Sequence, residues 1–165
     1  MSRQTRIRAW KYRARRLQHL SLILLLVFVM SPIVLKGQMD ATTLFNVDGV
    51  PDAYISFTED EPTVYLWLGK PVAYLASSVG GGFNVYGFNG KHLGWYVNGV
   101  IRDHEGRLVC GVYRVVSNPK PEPLKPPKQL RPRESSKQVA PRKPLYKRQW
   151  SQTPCGAFLS QETAP

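Results

Sequence analysis

Asn84-Val85-Tyr86-Gly87-Phe88-Asn89-Gly90-Lys91-His92-Leu93-Gly94-Trp95-Tyr96 reads as a strand, a tight turn and a second strand. Asn-Gly is the favoured pair for a two-residue hairpin turn, because both central residues there need φ > 0. Val85, Tyr86 and Phe88 on one side, and Leu93, Trp95 and Tyr96 on the other, suit a pleated, half-buried surface.

The same frame recurs along the chain. Val64-Tyr65-Leu66-Trp67-Leu68-Gly69-Lys70-Pro71-Val72-Ala73-Tyr74-Leu75 matches it position for position, with Gly69 for Gly90, Ala73 for Gly94 and Tyr74 for Trp95. Leu44 to Ile55 fits with an Asp48-Gly49 turn, and Ile101 to Val112 fits more loosely around Gly106. A lone hairpin is marginal in water. Four hairpins can share a core if each turns an apolar face inward, so the repeat predicts an all-β unit of four hairpins around a pseudo-four-fold axis.

Tyr-x-x-x-Gly-Lys-x-x-Gly/Ala-Trp/Tyr, followed by Gly-x-Ile-x-Asp-x-x-Gly, resembles the bacterial four-fold beta flower domain. Gly90 to Trp95 and Ile101 to Gly106 carry most of the match, which covers about residues 42–116. The family name describes a shape and carries no established activity, so the resemblance implies fold rather than function.

Charge divides the chain. The total is +12. Arg3, Arg6, Arg8, Lys11, Arg13, Arg15 and Arg16 crowd residues 1–19 with no acid among them. Acids outnumber bases between Asp40 and Asn118, and bases outnumber acids from residue 119 to 150. The basic excess therefore belongs to two tails, and the folded part is mildly acidic.

Residues 20–36 hold the uncharged run Leu20–Leu35, LSLILLLVFVMSPIVL. It is just short of the usual ~17–25 residues of a spanning helix, and Leu17 to His19 can extend it. The basic flank then sets the N-terminus in the cytoplasm and the hairpins outside, with membrane lipid as the partner of Leu20–Leu35. A cleaved secretory signal is a second reading, though no small-x-small cleavage site precedes Asp40. The third is a cytoplasmic protein that starts at Met39.

From residue 117 to 165 the composition predicts a disordered, Pro- and Lys-rich tail with an aromatic end. Pro123 to Lys128 has the spacing of a ligand for an aromatic-lined groove on a protein partner, or of a plain spacer. Its charge suits an anionic polymer. Tyr146, Trp150, Phe158 and Leu159 suggest docking, on this chain's own hairpins or on a partner.

Little here suggests catalysis. Asp103-His104-Glu105 are consecutive at a hairpin turn, so their side chains do not converge as a triad does. Asp52, Glu59, Asp60 and Glu61 read as a solvated loop cluster. Gly80-Gly81-Gly82 lacks the Lys-Ser/Thr of a phosphate loop and reads as a flexible connection. Cys110 and Cys155 lack metal spacing, and spacing alone leaves open whether they pair. The expectation is a non-enzymatic binding or scaffolding module with no cofactor, no metal and no small-molecule ligand. Trp67, Trp95, Trp150 and Phe158 are the candidate contact residues, and nucleic-acid or anionic-polymer binding through the tails is the alternative.

Overall fold

The computed structural model describes residues 41–58 and 60–161. Leu20–Leu35, the basic segment before it, Met39 and Glu59 lie outside the described residues. Eight antiparallel strands close into a barrel in sequence order. They are β1 (Ala41–Phe45), β2 (Pro51–Ser56), β3 (Thr63–Leu66), β4 (Pro71–Ser77), β5 (Phe83–Gly87), β6 (His92–Val97), β7 (Val100–Arg102) and β8 (Leu108–Gly111). The closing seam is short: β1 meets β8 only through Phe45 and Gly111.

The turns at Gly49, Gly69, Gly90 and Gly106 share one hydrogen-bond pattern. Each glycine N–H donates to the carbonyl three residues back, as Gly90 does to Gly87 at 2.9 Å. Gly87 N–H in turn donates to Lys91 O at 2.9 Å. These are not the two-residue turns the Asn-Gly pair suggests. Gly90 has φ +82° whereas Asn89 is not in the left-handed region, the signature of a three-residue loop ending in a glycine bulge. The two-residue Asn-Gly turn lies elsewhere, between β6 and β7, where Asn98 (φ 52°) and Gly99 (φ 80°) are both left-handed.

Each hairpin also carries a bulge three residues after its turn glycine. Leu44 pairs with Ala53 but Phe45 with Pro51, so Asp52 is an extra residue. Val72, Leu93 and Val109 are the extra residues of the other three hairpins. An extra residue bends the strand and lets two consecutive side chains face one way. Val72, Leu93 and Val109 accordingly join the interior beside their neighbours Ala73, Gly94 and Cys110.

Small residues at Ala53, Ala73, Gly94 and Cys110 leave room at one end of the barrel. A short helix, α1 (Cys155–Leu159), fills it. Cys155, Phe158 and Leu159 pack into the same buried cluster as Leu44, Ile55, Val64 and Val85. A Cβ on Gly94 would meet the ring of Phe158 at 3.5 Å and the carbonyl of Arg102 at 2.0 Å, so nothing larger than glycine fits. A disulfide from Cys110 to Cys155 fixes the plug, and Asp52 Oδ2 accepts the Gly156 N–H at 2.9 Å.

The segment between barrel and plug corrects the expectation of a disordered tail. Residues 117–149 contain no helix or strand, yet they encircle the turns as a belt. Lys120, Gln129, Gln138 and Lys147 donate their backbone N–H groups to the carbonyls of Gly49, Gly69, Gly90 and Gly106, at 2.8 to 3.0 Å. The donors fall at nine-residue intervals, one per hairpin. Composition misses this order because it comes neither from an apolar stripe nor from secondary structure. It comes from main-chain bonds to carbonyls that the hairpin turns leave free. The fit is close: a Cβ on Gly90 would lie 2.0 Å from Ser136 O.

Candidate functional site

Outward-facing side chains from neighbouring hairpins meet in grooves beneath the belt. In the first groove Tyr54 stacks on Tyr65 with ring centroids 5.4 Å apart, and Trp67 meets Tyr54 edge-on at 6.2 Å. Lys125 of the belt lies 4.6 Å from the Trp67 ring, and Lys128 lies 5.3 Å from Tyr65. In the second groove Tyr74 packs against Tyr86 and Phe88 at 5.9 and 5.6 Å. Arg131 and Lys137 cover it, 5.7 and 5.1 Å from the Tyr74 ring. Burial, together with the Glu134 and Glu61 carboxylates, raises the Tyr74 hydroxyl well above the ordinary tyrosine range. Belt cations over ring faces thus occupy both grooves.

The third groove breaks the pattern. His104 stands two residues before its turn glycine, where Trp67 and Phe88 stand before theirs. His92 stands two residues after its glycine, where the first two hairpins have Pro51 and Pro71. The two imidazoles meet, His92 Nδ1 to His104 Nε2 at 2.9 Å. Trp95 walls them, 4.8 Å from His92 and 5.5 Å from His104 between centroids. The cation–π contact is reversed here: Arg102 of the barrel lies 4.7 Å from the ring of Tyr146 on the belt.

The proton positions in this groove follow from its partners. Asn84 Nδ2 donates to Ser77 O at 3.5 Å, which turns Asn84 Oδ1 toward His92 Nε2 at 3.4 Å. A carbonyl oxygen only accepts, so His92 Nε2 carries the proton and Nδ1 is the acceptor. His104 Nε2 then donates to His92. Burial, helped by His104 beside it, pushes His92 down to about 4, so His92 is neutral at pH 7. Sequence reading passes over this pair because it weighs His104 against Asp103 and Glu105. Asp103 instead accepts from the backbone N–H groups of Glu105 and Arg107 and pairs with the Arg107 guanidinium at 2.8 Å. The signal that finds the pair is the hairpin alignment itself, where His92 and His104 replace proline and an aromatic.

The expected contact residues do not form one site. Trp67 is half-buried under Lys125 in the first groove, and Trp95 is 1% exposed in the third. Trp150 forms a single bridge with Leu108, and Phe158 is inside the barrel. The acids separate too: Asp52 holds the plug and Glu61 meets Lys137 at 3.0 Å. Among the described residues no group of three or more His, Cys, Asp or Glu is placed to hold a metal ion.

A closed barrel of bulged hairpins, belted by its own C-terminal segment and plugged by a disulfide-held helix, defines an all-β class of structural module. The chain belongs to the 4-fold beta flower protein family, whose model matches residues 42–159. The match runs well past residue 116, where the sequence resemblance was expected to stop, so belt and plug belong to the family's unit. No curated protein and no solved structure matches the chain.

Proposed function

We propose that this protein is a non-enzymatic β module of the cell envelope that acts in binding or scaffolding. On this reading the four hairpins are related by a pseudo-four-fold axis, and Leu20–Leu35 anchors the chain with the barrel outside. The observation that carries the reading is the Cys110–Cys155 disulfide, which fixes the plug to the last strand. Disulfides persist in oxidising compartments and are rare in the cytosol. The apolar run and its basic flank supply the route and the orientation. Among the described residues no helix is long and apolar enough to cross a membrane, and on this reading Leu20–Leu35, which lies outside them, supplies the anchor.

The test is thiol trapping in intact cells followed by carbonate extraction. Envelope placement predicts that Cys110 and Cys155 resist alkylation until reduced, and that the protein stays with the membrane pellet. Free thiols and a soluble protein would reject it.

A second reading is anionic-polymer capture by the belt. Lys120, Arg133, Lys147 and Arg148 have no ion-pair partner among the described residues. Binding of this kind is carried by counterion release and collapses as salt rises. Binding that persists in high salt would reject it.

A further inference from the structure

We propose that the third groove is a binding site for a small organic anion, a carboxylate or phosphate ester with an apolar body. This goes beyond the envelope reading and does not depend on it.

The first observation is a cavity of about 330 Å³ between the belt and the hairpin of Gly90. Its volume falls at the small end of the ~300–1,000 Å³ typical of ligand pockets. Its polar lining is Lys91, Arg142, Gln138 and the histidine pair, and no carboxylate lines it. Lys91 and Arg142 have no ion-pair partner among the described residues. Two unpaired cations on one hollow make a charge-assisted site for an oxyanion. A second hollow, of about 280 Å³, lies across the histidine pair. Asp103 and Glu105 line that one along with Arg107, and Lys91 borders both hollows, so two acids balance two bases there and it does not select an anion.

The second observation is the missing cap. In the first two grooves a belt cation covers the rings. Lys143 stands on the belt where Lys125 stands two nonapeptides earlier, yet it turns away from the third groove. Its Nζ donates to Gly81 O at 2.6 Å and to Val79 O at 3.1 Å. The Tyr146 ring covers the Arg102 side of the third groove, but no belt cation among the described residues covers the histidine pair and Trp95, and that side is left open.

The third observation sets the shape of the ligand. Trp95, Val139 and Pro141 give the cavity an apolar wall. A bare inorganic ion would use the cations and leave Val139 and Pro141 wet. An anion with a ring or short chain covers them and gains the apolar burial.

The test is calorimetric titration of the full chain, disulfide intact, with phenyl phosphate, benzoate, inorganic phosphate and benzyl alcohol. Saturable binding of phenyl phosphate or benzoate is expected, with inorganic phosphate and benzyl alcohol at least tenfold weaker. The stronger of the first two decides between phosphate and carboxylate. Lys91→Gln and Arg142→Gln should each weaken binding about tenfold. Lys120→Gln, which removes the same charge elsewhere on the belt, should leave it unchanged. The imidazole resonances of His92 and His104 should shift in step with saturation. The proposal is overturned by no saturation at millimolar concentrations, by inorganic phosphate binding as tightly as phenyl phosphate, or by Lys120→Gln weakening binding as much as Arg142→Gln.

Discussion

The barrel and the belt share one register and are ordered by different forces. In the barrel, each hairpin places Leu44, Val64, Val85 or Ile101 in a common apolar interior, and order follows from burial. In the belt, Leu124, Leu130 and Val139 are almost fully exposed, so burial contributes little. The belt is held by one backbone hydrogen bond to each turn glycine, by cations over aromatic rings, and by the plug at its far end. A segment without a core of its own can still be ordered when a scaffold repeats the anchor at the right spacing. Nine residues of extended chain span one hairpin, and the main chain supplies the bond whatever side chain is present.

The largest test of this contrast is a truncation after Asn118. It removes belt, plug and disulfide together. Phe158, Leu159 and Cys155 leave the interior, where Ala53, Ala73 and Gly94 are too small to close the gap. The truncated barrel is expected to lose its cooperative thermal melt and to bind a hydrophobic dye. A cooperative melt near that of the full chain would show that the barrel is self-sufficient and the belt an ornament.

Next in size is the disulfide alone. Cys110 and Cys155 are 45 residues apart in sequence. On the chain-entropy account, a loop of that length restricts the unfolded state by about 4 kcal/mol. Cys155→Ser should cost roughly that in chemical denaturation, and the belt amides of Gln129 and Gln138 should exchange faster than the amides of β4 and β5. A loss under about 1 kcal/mol would mean that Phe158 and Leu159 hold the plug unaided.

Acid should also separate the regions. His92 is held at about 4 in the fold, against about 6.5 in an unfolded chain. Between those values the unfolded chain takes up a proton that the folded one refuses. Stability from this group is therefore present above about pH 6.5 and falls as pH drops toward 4, by at most about 3 kcal/mol. His92→Gln should flatten the stability curve in that window, while above pH 7 it shifts the height of the curve and not its slope. Parallel curves for the two proteins would remove His92 as the cause.

Much of the barrel is legible in the sequence because β structure writes itself in side chains. The turn glycines and the alternation of Tyr65, Tyr74, Tyr86 and Trp95 mark the hairpins directly. The bulges are not legible, since Asp52, Val72, Leu93 and Val109 look like ordinary strand residues until partners are assigned. The belt is hidden for a deeper reason. Its order lies in main-chain bonds, so only traces of its period reach the side chains: Pro123, Pro132 and Pro141, and the pairs Lys128-Gln129 and Lys137-Gln138. The histidine pair is visible only by aligning the hairpins and asking where they disagree. His92 and His104 are 12 residues apart and reach each other because β6 and β7 are joined by the two-residue turn at Asn98-Gly99.

The smallest expected effect decides how much of the belt's hold comes from its side chains. Lys125 lies 4.6 Å from the Trp67 ring and also pairs with Glu122 at 2.8 Å. Lys125→Met keeps the apolar stem and removes the charge, and Trp67→Leu keeps bulk and removes the ring. Each variant also disturbs contacts outside the pair, so neither alone measures it. A double-mutant cycle cancels those side effects. A partly exposed cation–π contact predicts a coupling of about 0.5–1 kcal/mol. A coupling in that range makes the groove part of what seats the belt, and fits an order in which the histidine side of the third groove is a site left unfilled by the chain. A coupling below about 0.2 kcal/mol would assign the hold at the first groove to the main-chain bonds and to contacts other than the cation over the ring. Lys125 would then be a passenger of the main chain, and the turning away of Lys143, its counterpart at the third groove, would carry no energetic meaning.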